Sequence, residues 1–104
     1  MASRPQGCQS IVMAADGIVL APKAGLNVPV YALVIATDGA TAGDVVILRD
    51  GGPTGKVRVK AYVELAKGTV TIPLGRYGIN FSAGIFYSEL PTADGKIWTT
   101  VVFG

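Results

Sequence analysis

The sequence predicts an all-β protein, a single antiparallel β-sandwich or jelly-roll-like barrel of about seven or eight short strands with no substantial helix. Two observations predict this class. Short apolar runs rich in Val, Ile, Thr and aromatic residues recur along the chain, and these residue types favour strand interiors. Segments rich in Gly, Asp and Pro separate the runs, and turn signals spaced roughly 8–12 residues apart are typical of sandwiches and barrels.

Eight apolar runs are the predicted strands, and in chain order they cover 10–15, 17–21, 28–37, 44–50, 56–65, 69–74, 84–90 and 96–103. We assign residues 1–104 to one domain, with 1–9 as an N-terminal arm. The arm has no apolar stretch of the kind found in a secretory signal. The longest apolar run has nine residues, 28–36, whereas a membrane-spanning helix needs about twenty. No membrane partner is therefore expected.

The run 56–65 has the clearest period of two. Apolar residues at alternate positions predict a core face, formed by Val57, Val59, Ala61, Val63 and Leu65. Lys56, Arg58 and Lys60 alternate with them, followed by Tyr62 and Glu64. This basic row is interpreted either as a solvated face or as a contact for an acidic partner protein.

Two other runs, 28–36 and 44–49, are apolar at successive positions. This pattern is typical of strands that are covered on both faces. In so small a domain the second cover would be a neighbouring chain, and another copy of this chain is one candidate. The alternative is a weakly apolar exposed face that includes Ala32 and Ala36.

The stretch GGPTGK, residues 51–56, resembles a phosphate-binding loop but does not match one. That motif needs four residues between its glycines, a Ser or Thr after the Lys, and a following helix. Here Val57 follows Lys56, and the next segment alternates as a strand. We predict a hairpin loop instead, with Asp50 bonding its own turn amides and with the turn residues Gly51, Gly52, Pro53 and Gly55.

Charge and residue usage argue against several function classes. The net charge is +2 with no basic block, so neither a nucleic acid nor an anionic membrane is expected as a partner. With one cysteine, Cys8, and no histidine, the chain supplies neither a zinc cluster nor a Cys/His pair. Most carboxylates stand beside glycine in turn segments, where Asp is favoured for backbone reasons. We therefore expect no enzyme activity, no cofactor and no metal.

Aromatic residues and the overall apolar character point to contact surfaces. Half of the residues are apolar and 15% are charged, more apolar side chains than one small core can hold. Phe86 and Tyr87 should face opposite ways in a strand, so one is predicted in the core and the other at a contact. The candidate interface residues are Lys56, Arg58, Lys60, Tyr62, Tyr87 and Trp98. An exposed aromatic platform that binds sugar rings is the alternative use of Tyr87 and Trp98.

A succession of motifs resembles small virion proteins of tailed bacteriophages. It comprises VVILRDGGPTGKVRVKAYVEL, then TVTIPLGRYGINFSAGIFYSEL, then KIWTTVVFG, and covers 44–104. In that family an LRDGG hairpin precedes a G-I-x-F-x-x-G-I-Y segment and a last strand similar to V-T-V-F-Y. Here Phe86 stands where the family has Tyr, and the chain ends on Gly104 instead of an aromatic residue.

The resemblance implies a non-enzymatic structural protein made in the host cytoplasm and built into the virion. The expected role is a capsid decoration or cement protein that binds the major capsid lattice. It implies contact with the major capsid protein or another virion protein and a homo-oligomer such as a trimer. A component associated with the tail or the head fibres, or a carbohydrate-binding module, is the alternative.

Overall fold

Nine strands form the described parts of the chain, which in the computed structural model are residues 9–23, 25–40, 44–63, 66–90 and 96–104. The strands are β1 (Gln9–Met13), β2 (Gly17–Leu20), β3 (Val28–Asp38), β4 (Val45–Asp50), β5 (Lys56–Tyr62), β6 (Lys67–Pro73), β7 (Ile79–Phe81), β8 (Ile85–Leu90) and β9 (Ile97–Phe103). Of the predicted N-terminal arm, residues 1–8 lie outside the described residues, and Gln9 already belongs to β1.

The strands form two antiparallel sheets packed as a sandwich, so the predicted all-β class is confirmed and the closed-barrel alternative is wrong. The first sheet, sheet A, has the order β1-β9-β3-β6, with β7 also pairing with β3. The second, sheet B, has the order β2-β8-β4-β5. The molecule is a plate with extents of 37 × 37 × 19 Å, as expected of two sheets stacked about 10 Å apart.

One layer of apolar side chains fills the space between the sheets. From sheet A the fully buried residues include Val30, Leu33 and Val101, and sheet B contributes Leu48 and Tyr87 among others. The core residues recur at alternate positions in β4, β8 and β9, and in β3 they do so from Leu33 onward, after a register shift between Val30 and Ala32. Alternation is the reason the sequence folds this way, because every second side chain of a strand points to the same side of its sheet.

Two details depart from the sequence pattern. The short strand β7 was not among the predicted runs, although its Phe81 is fully buried. In β5 the register slips beside β4, because Leu48 pairs with Val59 while Arg49 pairs with Val57. This bulge interrupts the alternation. As a result Val57, predicted on the core face, is 39% exposed.

The hairpin between β4 and β5 has the predicted turn residues in distinct roles. Gly51 has a positive φ of 107°, which residues with a Cβ rarely adopt. A Cβ at Gly55 would overlap the Asp50 carbonyl oxygen. Gly52 has neither restriction, because its φ is not positive and a Cβ there would meet nothing within 4 Å.

Replacing Gly51 with Val should therefore lower the free energy of unfolding by about 1–3 kcal/mol, the typical cost of a disfavoured backbone conformation. The same replacement at Gly52 is the matched control and should change it by less than about 0.5 kcal/mol. Thermal or urea unfolding of the two variants measures the difference. Equal destabilisation of both would show that the turn does not require positive φ at Gly51.

Candidate interaction surface

On the side of sheet A that faces away from the core, three adjacent rows of residues over four strands carry no charge, and they end at a charged row in which Asp38 of β3 lies opposite Lys67 of β6. On β3 and β9 the alternate residues Leu33, Ile35, Thr99 and Val101 are buried, so the residues between them point outward. Strand register places the outward residues in three rows: Ser10, Val102, Ala32 and Pro73; then Val12, Thr100, Val34 and Thr71; then Trp98, Ala36 and Thr69. We call this surface the outer face.

The outer face is weakly apolar in its middle and more exposed at its edges. Ala32, Val34 and Ala36 on the central strand are half-buried between their neighbours. Val12 on edge strand β1 is 58% exposed, and Trp98 on β9 is 39% exposed. The outward side of β3 is thus covered by no other part of the described chain. Small residues at its centre let a flat partner approach the sheet closely.

The predicted basic row lies on the other sheet. Lys56, Arg58 and Lys60 are exposed on β5, the edge strand of sheet B. Lys60 Nζ lies 5.4 Å from the ring centroid of Tyr62, which is 60% exposed. The Arg58 guanidinium donates to the carbonyl oxygen of Asn80 on β7 at 3.1 Å. The row and Trp98 therefore do not form one surface, and they lie on different sheets.

Tyr87 is not an interface residue, and its prediction as one is wrong. Its side chain is fully buried. The hydroxyl donates to Glu89 Oε2 at 2.6 Å and lies 2.8 Å from Thr99 Oγ1. Burial, followed by the hydrogen bond to the Glu89 carboxylate, raises the pKa of Tyr87 far above its ordinary value. The phenol therefore stays protonated and joins β8 of sheet B to β9 of sheet A.

The sequence also predicted that Phe86 and Tyr87 face opposite sides of one strand. Phe86 is only half-buried, so Phe86 and Tyr87 do face opposite sides of the sheet, as expected. Because Tyr87 is in the core, Tyr87 and Trp98 do not form an exposed platform for sugar rings.

A buried carboxylate beside Tyr87 was missed by sequence reasoning. Glu89 is 2% exposed, and its backbone N–H donates to Asp16 Oδ1 at 2.9 Å. Two acidic residues from distant parts of the chain thus meet at the end of β8. The signal was present in the alternation, because Ile85, Tyr87 and Glu89 all face the core. Asp16 fixes the backbone of β8, and Glu89 accepts the hydrogen bond from the buried phenol.

Asp50 connects two turns instead of bonding its own, which corrects the predicted partner. Its carboxylate accepts from Ser82 N at 3.1 Å, from the Ser82 hydroxyl at 3.0 Å and from Ala83 N at 2.8 Å. Within the hairpin, Arg49 instead donates to the Gly55 carbonyl oxygen at 3.1 Å. Pro53 is exposed at the tip. The turn residues therefore hold the β4–β5 hairpin against the segment that leads into β8.

An apolar cleft opens between the edges of the two sheets, where β5 and β6 diverge. Its volume is about 200 Å³, and it is lined by Ile35, Thr37, Tyr62, Val63, Gly68, Val70 and Ile72. Val70 is 43% exposed although it lies in register with Ile35 of the core. The cleft lies along the side of the sandwich that is not closed by hydrogen bonds, because β6 pairs with β3 but not with β5.

Comparisons with known proteins found no matching family model, no matching curated protein and no matching solved structure. Among the described residues, no group of three or more acidic or cysteine side chains is placed to hold a metal ion. In those same ranges no helix has the length and apolar character that a membrane crossing requires.

Removing the Tyr87 hydroxyl should destabilise the sandwich. We expect Tyr87→Phe to lower the free energy of unfolding by about 1–3 kcal/mol, because the Glu89 carboxylate loses a buried donor. Tyr62→Phe makes the same change at an exposed ring and should have little effect. Urea unfolding of both variants tests this, and identical midpoints would contradict the buried hydrogen bond.

Asp50 should make stability depend on acid pH. Burial acts to raise its pKa, but the donors at Ser82 and Ala83 outweigh burial and hold the pKa below its ordinary value of 3.8. A carboxylate with a lowered folded-state pKa stabilises the fold above 3.8, and the contribution is lost as the pH falls through the lower value.

The free energy of unfolding, measured in urea between neutral and acid pH, should therefore fall less steeply for Asp50→Asn than for the unmodified chain. Asp38→Asn alters an exposed carboxylate and serves as the control. A pH profile of Asp50→Asn that superimposes on the parent profile would refute the assignment.

Proposed function

We propose that this chain is a non-enzymatic structural protein of a tailed-bacteriophage virion, held in the particle through the outer face of sheet A. The role that fits best is a decoration or cement protein on the major capsid lattice. A component associated with the head or tail is the alternative position. The proposal draws on the resemblance of residues 44–104 to such virion proteins and on the geometry of the outer face.

The observation that carries the proposal is the absence of charge across the three rows of the outer face. Surface rows of a small β-domain normally carry Lys and Glu, which keep the surface hydrated and discourage association. Here Ser, Val, Ala, Thr, Pro and Trp occupy the positions of the three rows. Depletion of charge with an aromatic residue present is the composition found at the centre of protein interfaces.

The size of the outer face favours a lattice over an isolated pair. Four strands about 4.8 Å apart and roughly five residues long span on the order of 300 Å². A stable pairwise interface buries about 800 Å² on each partner. One outer face alone is thus too small for tight binding, but an oligomer that presents several linked outer faces to a repeating surface gains affinity by multivalency.

The exposed basic row on β5 supplies a second contact, which is charged where the outer face is uncharged. Arg58, Lys60 and Tyr62 are exposed on β5, an edge strand of the other sheet. An acidic neighbour in the particle would meet this row. Its contribution would weaken at high salt, because exposed charges are screened.

The outer face is tested by placing a charge at its centre. We expect Thr100→Lys to fold but to lose at least ten-fold in affinity for purified heads of the phage that encodes the chain, because a lysine would be desolvated in the contact. Thr54→Lys, in the exposed β4–β5 turn, is the matched control and should bind normally. Co-sedimentation with heads measures both.

Two results would overturn the proposal. One is that the unmodified chain is absent from purified virions, by mass spectrometry, and does not bind heads or tails. The other is equal binding by Thr100→Lys and Thr54→Lys, which would place the contact elsewhere. Binding to a glycan array in place of heads would favour the carbohydrate-binding alternative.

A further inference from the structure

In the described chain five strands lie at sheet edges: β1, β6 and β7 in sheet A, and β2 and β5 in sheet B. All of them except β1 carry features that discourage pairing with another chain, and β7 has only three residues. The edge strand β5 has Lys56, Arg58 and Lys60 together with a bulge. The edge strand β2 has four residues and a register shift beside β8. The edge strand β6 begins at Lys67 and ends at Pro73. Charges, bulges, short length and proline are the means by which proteins protect open sheet edges.

The remaining edge strand, β1, has no charge, proline or bulge. Its sequence is QSIVM, with no charge, proline or glycine. It pairs with β9 over five consecutive residues without a register shift. Within the described chain β9 is its sole sheet partner, and Ile11 and Val12 are 38% and 58% exposed. An unprotected, regular and apolar edge is a template for adding another strand.

We propose that β1 pairs with β1 of a second copy of this chain. The two strands would run antiparallel about a two-fold axis, the arrangement in which one edge complements itself. Full overlap of the five-residue strands centres the axis on Ile11, so that Ser10 lies opposite Val12 of the partner copy and Gln9 opposite Met13. No like charges meet across this seam, because β1 carries none.

Pairing at β1 would also join the outer faces of the two copies. Ser10 and Val12 are the end members of two rows of the outer face, so the rows would continue across the seam into the second copy. Two five-stranded sheets would become one sheet of twice the width. This inference does not rest on a role in a virion, and a dimer would form or fail to form in the isolated protein.

The contact is small, and this decides how it should be measured. Five residues rising about 3.3 Å each give a seam roughly 17 Å long. A seam of this length buries much less than the roughly 800 Å² per partner that is typical of stable interfaces. The free dimer should therefore be weak and concentration-dependent. Covalent trapping suits such a contact better than size measurement, because a disulfide records each encounter in the correct register.

The test is oxidative crosslinking of single-cysteine variants in a Cys8→Ser background. In an antiparallel pair, residues directly opposite have Cα atoms about 4.5 or 5.5 Å apart, and a disulfide accepts both distances. Ile11→Cys should therefore form a covalent dimer at least ten-fold faster than Thr71→Cys. Thr71 is the control because it lies exposed on β6, the other edge strand of sheet A.

A second pair of variants tests the register and avoids the partly buried Ile11. Ser10→Cys mixed with Val12→Cys should crosslink at least five-fold faster than either variant with itself, because the proposed register places these residues opposite each other. Circular dichroism confirms that each variant is folded. Equal rates for Ile11→Cys and Thr71→Cys, or, where Ile11→Cys does not fold, no preference in the mixture, would overturn the proposal. Head binding by the Cys8→Ser parent separates this failure from a failure of the virion role.

Discussion

The central strand β3 imposes the constraint on which the rest of the fold depends. An interior strand must find hydrogen-bond partners along both of its edges, because unpaired backbone groups are costly to bury. One edge of β3 is paired with β9, and the other is paired with β6 and then β7. Strands from three separate parts of the chain are therefore held in one sheet. Core side chains Leu33 and Ile35 then fix which side of that sheet faces sheet B.

Sequence reasoning predicted the fold class and most strands because apolar alternation and turn residues are local signals. It missed β7 because three residues are too few to show a period. It placed Val57 in the core because a bulge depends on the partner strand and leaves no mark in the alternation of β5 itself. The partner of Asp50 was wrong for a similar reason, since Ser82 lies 32 positions away and only the fold brings it near.

The candidate surface was only partly predictable. The doubly apolar run 28–36 correctly drew attention to β3, but its outward rows depend on register with β1, β6 and β9, which a single strand does not reveal. Tyr87 was assigned to an interface because a large aromatic side chain supplies contact area both in a core and at an interface. Its burial follows from the alternation in β8, which places Ile85, Tyr87 and Glu89 on the side of the strand that faces the core. Judging carboxylates by neighbouring glycines drew attention away from Glu89, which stands in a strand.

Because the molecule is a thin plate, its core residues and its surface residues lie on the same strands. With a thickness of 19 Å, the protein has one layer of core side chains and no strand that is remote from solvent. Each strand of sheet A contributes alternate residues to the core and to the outer face, so a substitution that shifts Leu33 or Val101 also moves Val34 or Val102. With the proposed contact on the outer face, a substitution in the core would affect binding as well as stability. Compensating changes should therefore arise in adjacent positions of one strand as often as across the core.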